Sequence, residues 1–329
     1  MRPTRLSAVL SLLACSVGCD VGEPSRASGP KLELTRLTPL NFEGLDCDYS
    51  ESDCGVASNR PITVRFNRWL LPSTATRQSI RIGVEGSNSS QFTEPRYEVL
   101  ARTVTYRTSG FTPGVVYELD LMDAHTHPFG WGFAAYDTTV LDRANLPPAV
   151  VFRTKSPEAK YNAVSEVQTL CRDVLRAFAV SGCTLSNCHK SYDNLPAAAG
   201  LQLDSKLGLE SMIGRIAHAT DRAEQSGLAS NLPKRFGLNM PVVLPSQPAT
   251  SFLLYRMLLG EEAYRDKSGA YAVPPPSRDE LLYAASWFGT IGPMPPEAIG
   301  FPKGISPVDQ VRIVESWIRD GAETEFCDP

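Results

Sequence analysis

The sequence has no excess of basic residues: 32 Lys and Arg stand against 36 Asp and Glu, a net charge of −4 over 329 residues. Without surplus positive charge the chain has little to neutralise a phosphate backbone, which argues against nucleic acid as a partner. Its 26 prolines and 24 glycines follow no repeat period, which excludes collagen-like and solenoid architectures. Nor is there a Ser/His/Asp or Cys/His pattern that pairs a nucleophile with a base, so no hydrolytic or group-transfer chemistry is legible. What is present is a globular composition, 42% apolar and 21% charged, which fits neither wholesale disorder nor a polytopic membrane protein. The length suits two ordinary domains of ~100–200 residues.

The first residues read as an address. Arg2 and Arg5 precede the apolar run 6–14, which is too short to cross a bilayer as a mature helix. Small residues and two cysteines follow, Cys15 after Ala14 and Cys19 after Gly18. This pattern resembles a bacterial lipoprotein signal, in which a Cys after a small residue is acylated and becomes the mature N-terminus. Cys15 has a bulky Leu13 before it and Cys19 a polar Ser16. Using Cys19 leaves six cysteines, whereas using Cys15 leaves Cys19 as a free thiol in an oxidising compartment. The expectation is therefore a signal over 1–18, lipidation at Cys19 with Cys15 as the alternative, and a tether over 19–31. The site of action would be the cell envelope, anchored by lipid in the periplasm or outer membrane.

From 32 to 155 the pattern is short strands with period-2 alternation. Ile62, Val64 and Phe66 alternate with Thr63 and Arg65; Ile80, Ile82 and Val84 with Arg81 and Gly83; Tyr117, Leu119 and Leu121 with Glu118 and Asp120. Val104 and Tyr106 alternate with threonines, and a last strand follows Pro147-Pro148. About seven strands in ~120 residues predict an all-β Ig-like sandwich. Cys47 and Cys54 flank an acidic loop and predict a local disulfide, a preferred reading over a cation site because the carboxylates follow no calcium-loop spacing. His125 and His127 form an H-x-H, read as a solvated turn in preference to a metal pair.

The phrases of this segment, Ile62–Asn67, Val104–Tyr106, Gly114–Leu119 and Phe152–Thr154, occur in an order that resembles the Ig-like domains of bacterial surface-layer proteins. That resemblance implies a spacer or interaction module without catalysis.

From 156 to 329 the period changes to helical. Ser156-Pro157 reads as an N-cap followed by Pro at the first helical position. Val164, Val167, Leu170, Cys171, Val174, Leu175 and Phe178 then line one face of a helix. Further helices are predicted over about 209–219 and 251–259. Another starts at the capping box Ser277-x-x-Glu280, and the last lies between Ser306-Pro307 and Gly321, burying Val311, Val314, Trp317 and Ile318. The expectation is an irregular all-α domain.

After the first helix comes Cys183-Thr184-Leu185-Ser186-Asn187-Cys188-His189. Covalent attachment of a c-type haem needs two thiols for the vinyl groups and a His directly after the second, so that imidazole reaches iron. The usual spacing is C-x-x-C-H; here it is C-x4-C-H. On spacing alone, two readings stay open: haem attachment, or a Cys183–Cys188 disulfide beside an incidental His189. A zinc site is weaker, because no second Cys/His cluster lies downstream.

The ordered phrases around this motif resemble the cytochrome-c-like domains of bacterial lipoproteins. They are Gly200-Leu201-Gln202-Leu203, Val243–Leu253 with its two prolines, Met294-Pro295-Pro296, and Val314–Ala322 with Trp317-Ile318 and Gly321-Ala322. The departures are the x4 spacing and the long segment 260–293. The resemblance implies haem c held by Cys183 and Cys188, with His189 as proximal and Met294 as distal iron ligand. Met240, before Pro241, and His218 are the rivals for the distal place, while Met212 and Met257 are read as core. The resemblance further implies that the first and last helices pack together, so that Cys171 and Cys327 could form a disulfide. The function it implies is electron transfer to a redox protein partner, not enzymatic catalysis. A haem enzyme of peroxidase type would need a displaced distal ligand. A haem-free structural or adhesion lipoprotein with a Cys183–Cys188 disulfide is the alternative.

Overall fold

The computed structural model describes residues 29–38, 55–87, 90–91, 93–108, 110–124, 131–144, 149–159, 169–180, 201–217, 236–237, 239–288, 304–325 and 327. Among these residues, eight strands form two four-stranded sheets. The first has the order β1-β3-β6-β5, from β1 (Leu34–Thr38), β3 (Ile62–Phe66), β6 (Thr103–Thr108) and β5 (Thr93–Glu98). The second has the order β2-β8-β7-β4, from β2 (Val56–Ala57), β8 (Val150–Lys155), β7 (Val116–Leu121) and β4 (Ile80–Val84). All pairings are antiparallel except the short β2 beside β8.

The period-2 residues meet in register. Ile62 faces Tyr106 and Val64 faces Val104 in one sheet; Tyr117 faces Phe152 and Leu119 faces Val150 in the other. Their side chains form one buried core with Ile80, Ile82 and Leu121, each such burial being worth roughly 1.5–3 kcal/mol relative to exposure. Three strands lay outside the sequence pattern. Edge strand β5 carries Thr93, Glu94, Pro95 and Arg96, and Pro95 is tolerated there because only one side of an edge strand needs ladder donors. Edge strand β1 is mostly polar and irregular between Leu34 and Arg36, and β2 has only two residues.

Among the described residues five α-helices follow: α1 (Cys171–Val180), α2 (Lys206–Met212), α3 (Phe252–Leu258), α4 (Arg278–Phe288) and α5 (Pro307–Arg319). Helix α5 is central, packing against α1, α3 and the 3-10 turn at Glu261–Tyr264. The Ser306 hydroxyl caps it by accepting from the Asp309 amide, 3.3 Å, and Pro307 occupies its first position. Gly321, at φ +105, ends it.

Two helix expectations are corrected. The first helix among the described residues begins at Cys171, and Ser156-Pro157 and Glu158 are not helical. That dipeptide directly follows β8, and the next residue, Glu158, is held by reciprocal bonds between its backbone and the Asn59 amide. The second helix runs from Lys206, capped by the Ser205 hydroxyl, to Met212, and not over 209–219. Gly214 takes φ +71 there, and Ile213 and Ile216 leave the helix to form bridges with Val243 and Pro241.

The helical core contains Val174, Phe178, Leu254, Tyr255, Phe288, Val311, Val314 and Trp317, but it is not made by helices alone. Trp69, Val99, Leu100 and Tyr136, all from the sandwich part of the chain, are buried in the same cluster. The sandwich and the helices therefore share a hydrophobic seam.

Candidate functional site

Cys183, Cys188, His189, Met294, His218, Cys15, Cys19, Cys47, Cys54, His125 and His127 lie outside the described residues. What is described is the frame around the Cys183–His189 segment. Helix α1 ends at Val180, three residues before Cys183, and lies against α5. A disulfide joins Cys171, at the start of α1, to Cys327 beyond α5, with the α-carbons 4.6 Å apart. The Thr169 amide also donates to the Asp320 carboxylate at 3.0 Å, a second tie between the start of α1 and the end of α5.

Met240 is buried in the helical core, and its carbonyl accepts from the Ala217 amide at 3.0 Å. Met212 and Met257 are buried core residues. Among the described residues, no group of three or more His, Cys, Asp or Glu side chains could hold a metal ion.

The densest polar arrangement among the described residues lies elsewhere, in the seam, and sequence reading missed it. Arg68, directly after the β3 phrase, is wholly buried. Its guanidinium donates to both oxygens of Asp137, at 2.8 and 3.3 Å, to the Pro30 carbonyl at 2.6 Å, and through Nε to Oε2 of Glu280 on α4 at 2.7 Å. It also sits over the rings of Tyr136 and Tyr283, 5.1 and 5.5 Å from their centroids. Ser277 caps α4 by accepting from the Glu280 amide at 3.2 Å. The Glu280 side chain serves Arg68, so the predicted capping box is only half built.

Two further polar ties cross the seam. Oε1 of Glu315, on α5, accepts from the Val99 amide in the turn between β5 and β6 at 2.7 Å. Arg102, in the same turn, donates to the Pro274 carbonyl at 2.5 Å and lies over the Tyr264 ring. Between these ties the aromatics interlock: Trp69 packs on Tyr136 and Tyr255, and Tyr136 on Trp287 and Phe288.

Burial pushes the Glu280 carboxyl up to about 7, although Arg68 holds it down. Burial likewise raises Glu315 to about 6 against the pull of Arg319 and the Val99 amide. For Arg68, burial works against the charge, but the Asp137 hydrogen bonds and the Glu280 charge outweigh it, and its pKa is raised. These groups can hold the two parts of the chain together and exchange protons.

The fold thus defines a two-sheet β-sandwich joined along a buried seam to a set of helices. Similar solved structures include the surface-layer protein SbsC, for which one crystal structure is 11% identical, covers 39% of this chain and 14% of that chain, and has a TM-score of 0.26. A structure of the N-terminal part of SbsC is 10% identical over 39% of this chain and 24% of that chain, with a TM-score of 0.25. The LD transpeptidase LdtMt1 in complex with imipenem is 18% identical over 29% of this chain and 37% of that chain, with a TM-score of 0.21. No family model matches the chain, and no curated protein matches it. No described helix is long and apolar enough to cross a membrane.

Proposed function

We propose that this chain is a cell-envelope lipoprotein that carries a c-type haem on its helical part and passes electrons to a redox protein partner. The observation that carries the reading is the Cys183–His189 motif at the exit of a helix that is pinned to the C-terminal helix by packing and by the Cys171–Cys327 disulfide. A disulfide of this kind suits an oxidising compartment, as do the lipoprotein-like residues 1–19 with Cys19 as anchor. Haem, when bound, supplies reversible one-electron transfer at its iron. The chain's part would be to hold it: the Cys183 and Cys188 thiols would form the thioethers, and the His189 imidazole and the proline-flanked Met294 thioether would be the iron ligands. Met240 fits a packing role better, being drawn into the helical core with its carbonyl tied to Ala217.

One observation favours the haem-free structural reading as a second. The helices are bound to the sandwich through buried charges and aromatics, a rigidity that a surface or adhesion module uses and that electron transfer does not require.

A visible spectrum of the protein made in a host with c-type cytochrome maturation decides between them. Sharp bands on reduction, with haem retained on the denatured chain and lost from the Cys183→Ser and Cys188→Ser variants, support the proposal. A colourless protein with no free thiol at either position refutes it and leaves the structural reading.

A further inference from the structure

The seam between sandwich and helices is closed by two buried carboxyl groups, one from α4 and one from α5, and each meets a different piece of the sandwich. We propose that this docking is proton-linked: the docked form holds protons on Glu280 and Glu315, so that acid tightens the seam and alkali loosens it. The inference does not depend on haem.

The geometry carries the argument. Glu280 and Glu315 are almost wholly buried. Glu280 faces Arg68 and Asp137 from the sandwich, the Tyr136 hydroxyl, Arg102 and Tyr97 from β5 and its following turn, and Tyr264 from the 3-10 turn at Glu261–Tyr264. Arg68 is already satisfied by both oxygens of Asp137, so an ionised Glu280 adds a second buried negative charge to the same guanidinium. Its Oε1 and the neighbouring Tyr136 hydroxyl both lack a partner at full hydrogen-bonding geometry. The Tyr136 hydroxyl can donate to the Glu280 carboxyl and so favours its ionised form, but one proton on Oε1 cancels the extra buried charge, which a single neutral donor does not. Glu315 faces Arg319 one turn on, Glu98 at the end of β5, the Val99 and Leu100 amides, and the Tyr97 and Tyr255 rings. Its ion pair with Arg319 is long, 3.7 Å, so its charge is only partly compensated.

The sign follows from linkage. A carboxyl that titrates near 7 when docked and near 4.5 when exposed binds more protons in the docked form over that interval. Raising the pH through it therefore favours undocking. For Glu280 the expected change in the opening equilibrium between pH 5 and pH 8 is on the order of 100-fold, with a smaller contribution in the same direction from Glu315.

Hydrogen exchange on the full-length chain tests this. The Val99 and Leu100 amides report the seam, and the Val64 and Val104 amides inside the first sheet report global unfolding. After correction for the intrinsic pH dependence of exchange, protection at Val99 and Leu100 should fall at least ~100-fold relative to the sheet amides from pH 5 to pH 8. In the Glu280→Gln/Glu315→Gln variant, whose side chains mimic the protonated forms, the fall should shrink to about threefold or less. A flat profile in the native chain, or an undiminished slope in a folded double variant, overturns the proposal. Should the variant not fold, carbon NMR titration of the native Glu280 carboxyl serves instead: a midpoint near 7 supports the proposal, and one at or below 4.5 overturns it.

Discussion

Replacing Arg68 by methionine tests whether the charge network holds the two parts of the chain together. The substitution keeps an unbranched apolar stem but removes four donated hydrogen bonds and two ring contacts. It strands the Asp137 carboxylate, and leaves the Glu280 carboxyl without its guanidinium partner, in a site from which water is excluded. Breaking a buried pair by removing one partner costs about 3–5 kcal/mol, most of it the penalty of the charge left behind. In thermal melting that is a drop of roughly 10 °C for a chain of this size. Replacing all three groups, as Arg68→Met/Asp137→Asn/Glu280→Gln, leaves no ion at this site and should recover at least half of the loss. The pH dependence has a definite sign. Burial lifts the folded Glu280 carboxyl to about 7 even while Arg68 holds it down, so without Arg68 the folded pKa moves higher. A raised folded pKa contributes stability below the unfolded value and loses it as pH rises, so the deficit of the Arg68→Met variant relative to the native chain widens above pH 7. Urea denaturation followed by tryptophan fluorescence at pH 5 and pH 8 reads all three quantities. A loss below about 1 kcal/mol, or a triple variant no more stable than the single one, would show that apolar packing holds the seam and the charges do not.

Two smaller perturbations address the helical part. The Cys171→Ser/Cys327→Ser variant opens a loop between residues 156 positions apart; chain entropy predicts a loss of ~5 kcal/mol. Guanidinium denaturation of the non-reduced native chain and the variant measures it, and a loss under about 2 kcal/mol would mean that α1 stays on α5 by packing alone. Ser306→Ala removes the N-cap of α5 and should cost about 1 kcal/mol, read as a shift of the urea midpoint with an unchanged slope.

Much of the fold was legible because its signals are local. The alternation at Ile62–Phe66, Ile80–Val84 and Val116–Leu121 requires one face to be buried, and each became a strand. The same holds for α5, where Ser306-Pro307, Asp309 and Gly321 mark both ends, and Val311, Val314, Trp317 and Ile318 are buried as their spacing requires. Strands β1 and β5 were not legible, since an edge strand is defined by its neighbour and can carry Pro95 and charges without an apolar stripe. The 209–219 helix failed because pairing of Ile213 and Ile216 with Val243 and Pro241 overrides helical periodicity after Met212. Cys171 and Cys327, named by the cytochrome-c-like resemblance, are brought together, while the haem motif itself lies outside the described residues.

The sequence by itself determined that strands come before helices, which residues alternate into each core, and where the thiols and the His189 imidazole stand in the chain. These follow from period, capping and spacing, which act over a few residues. Only the tertiary structure decided that the two parts share a seam. Arg68 meets Asp137 at a separation of 69 residues and Glu280 at 212, and Glu315 reaches the Val99 amide across 216. No local pattern marks such pairs: in sequence each is one more charge in a polar stretch. Only burial, which strips away water and makes an unpaired charge costly, turns them into the groups that close the seam and respond to protons.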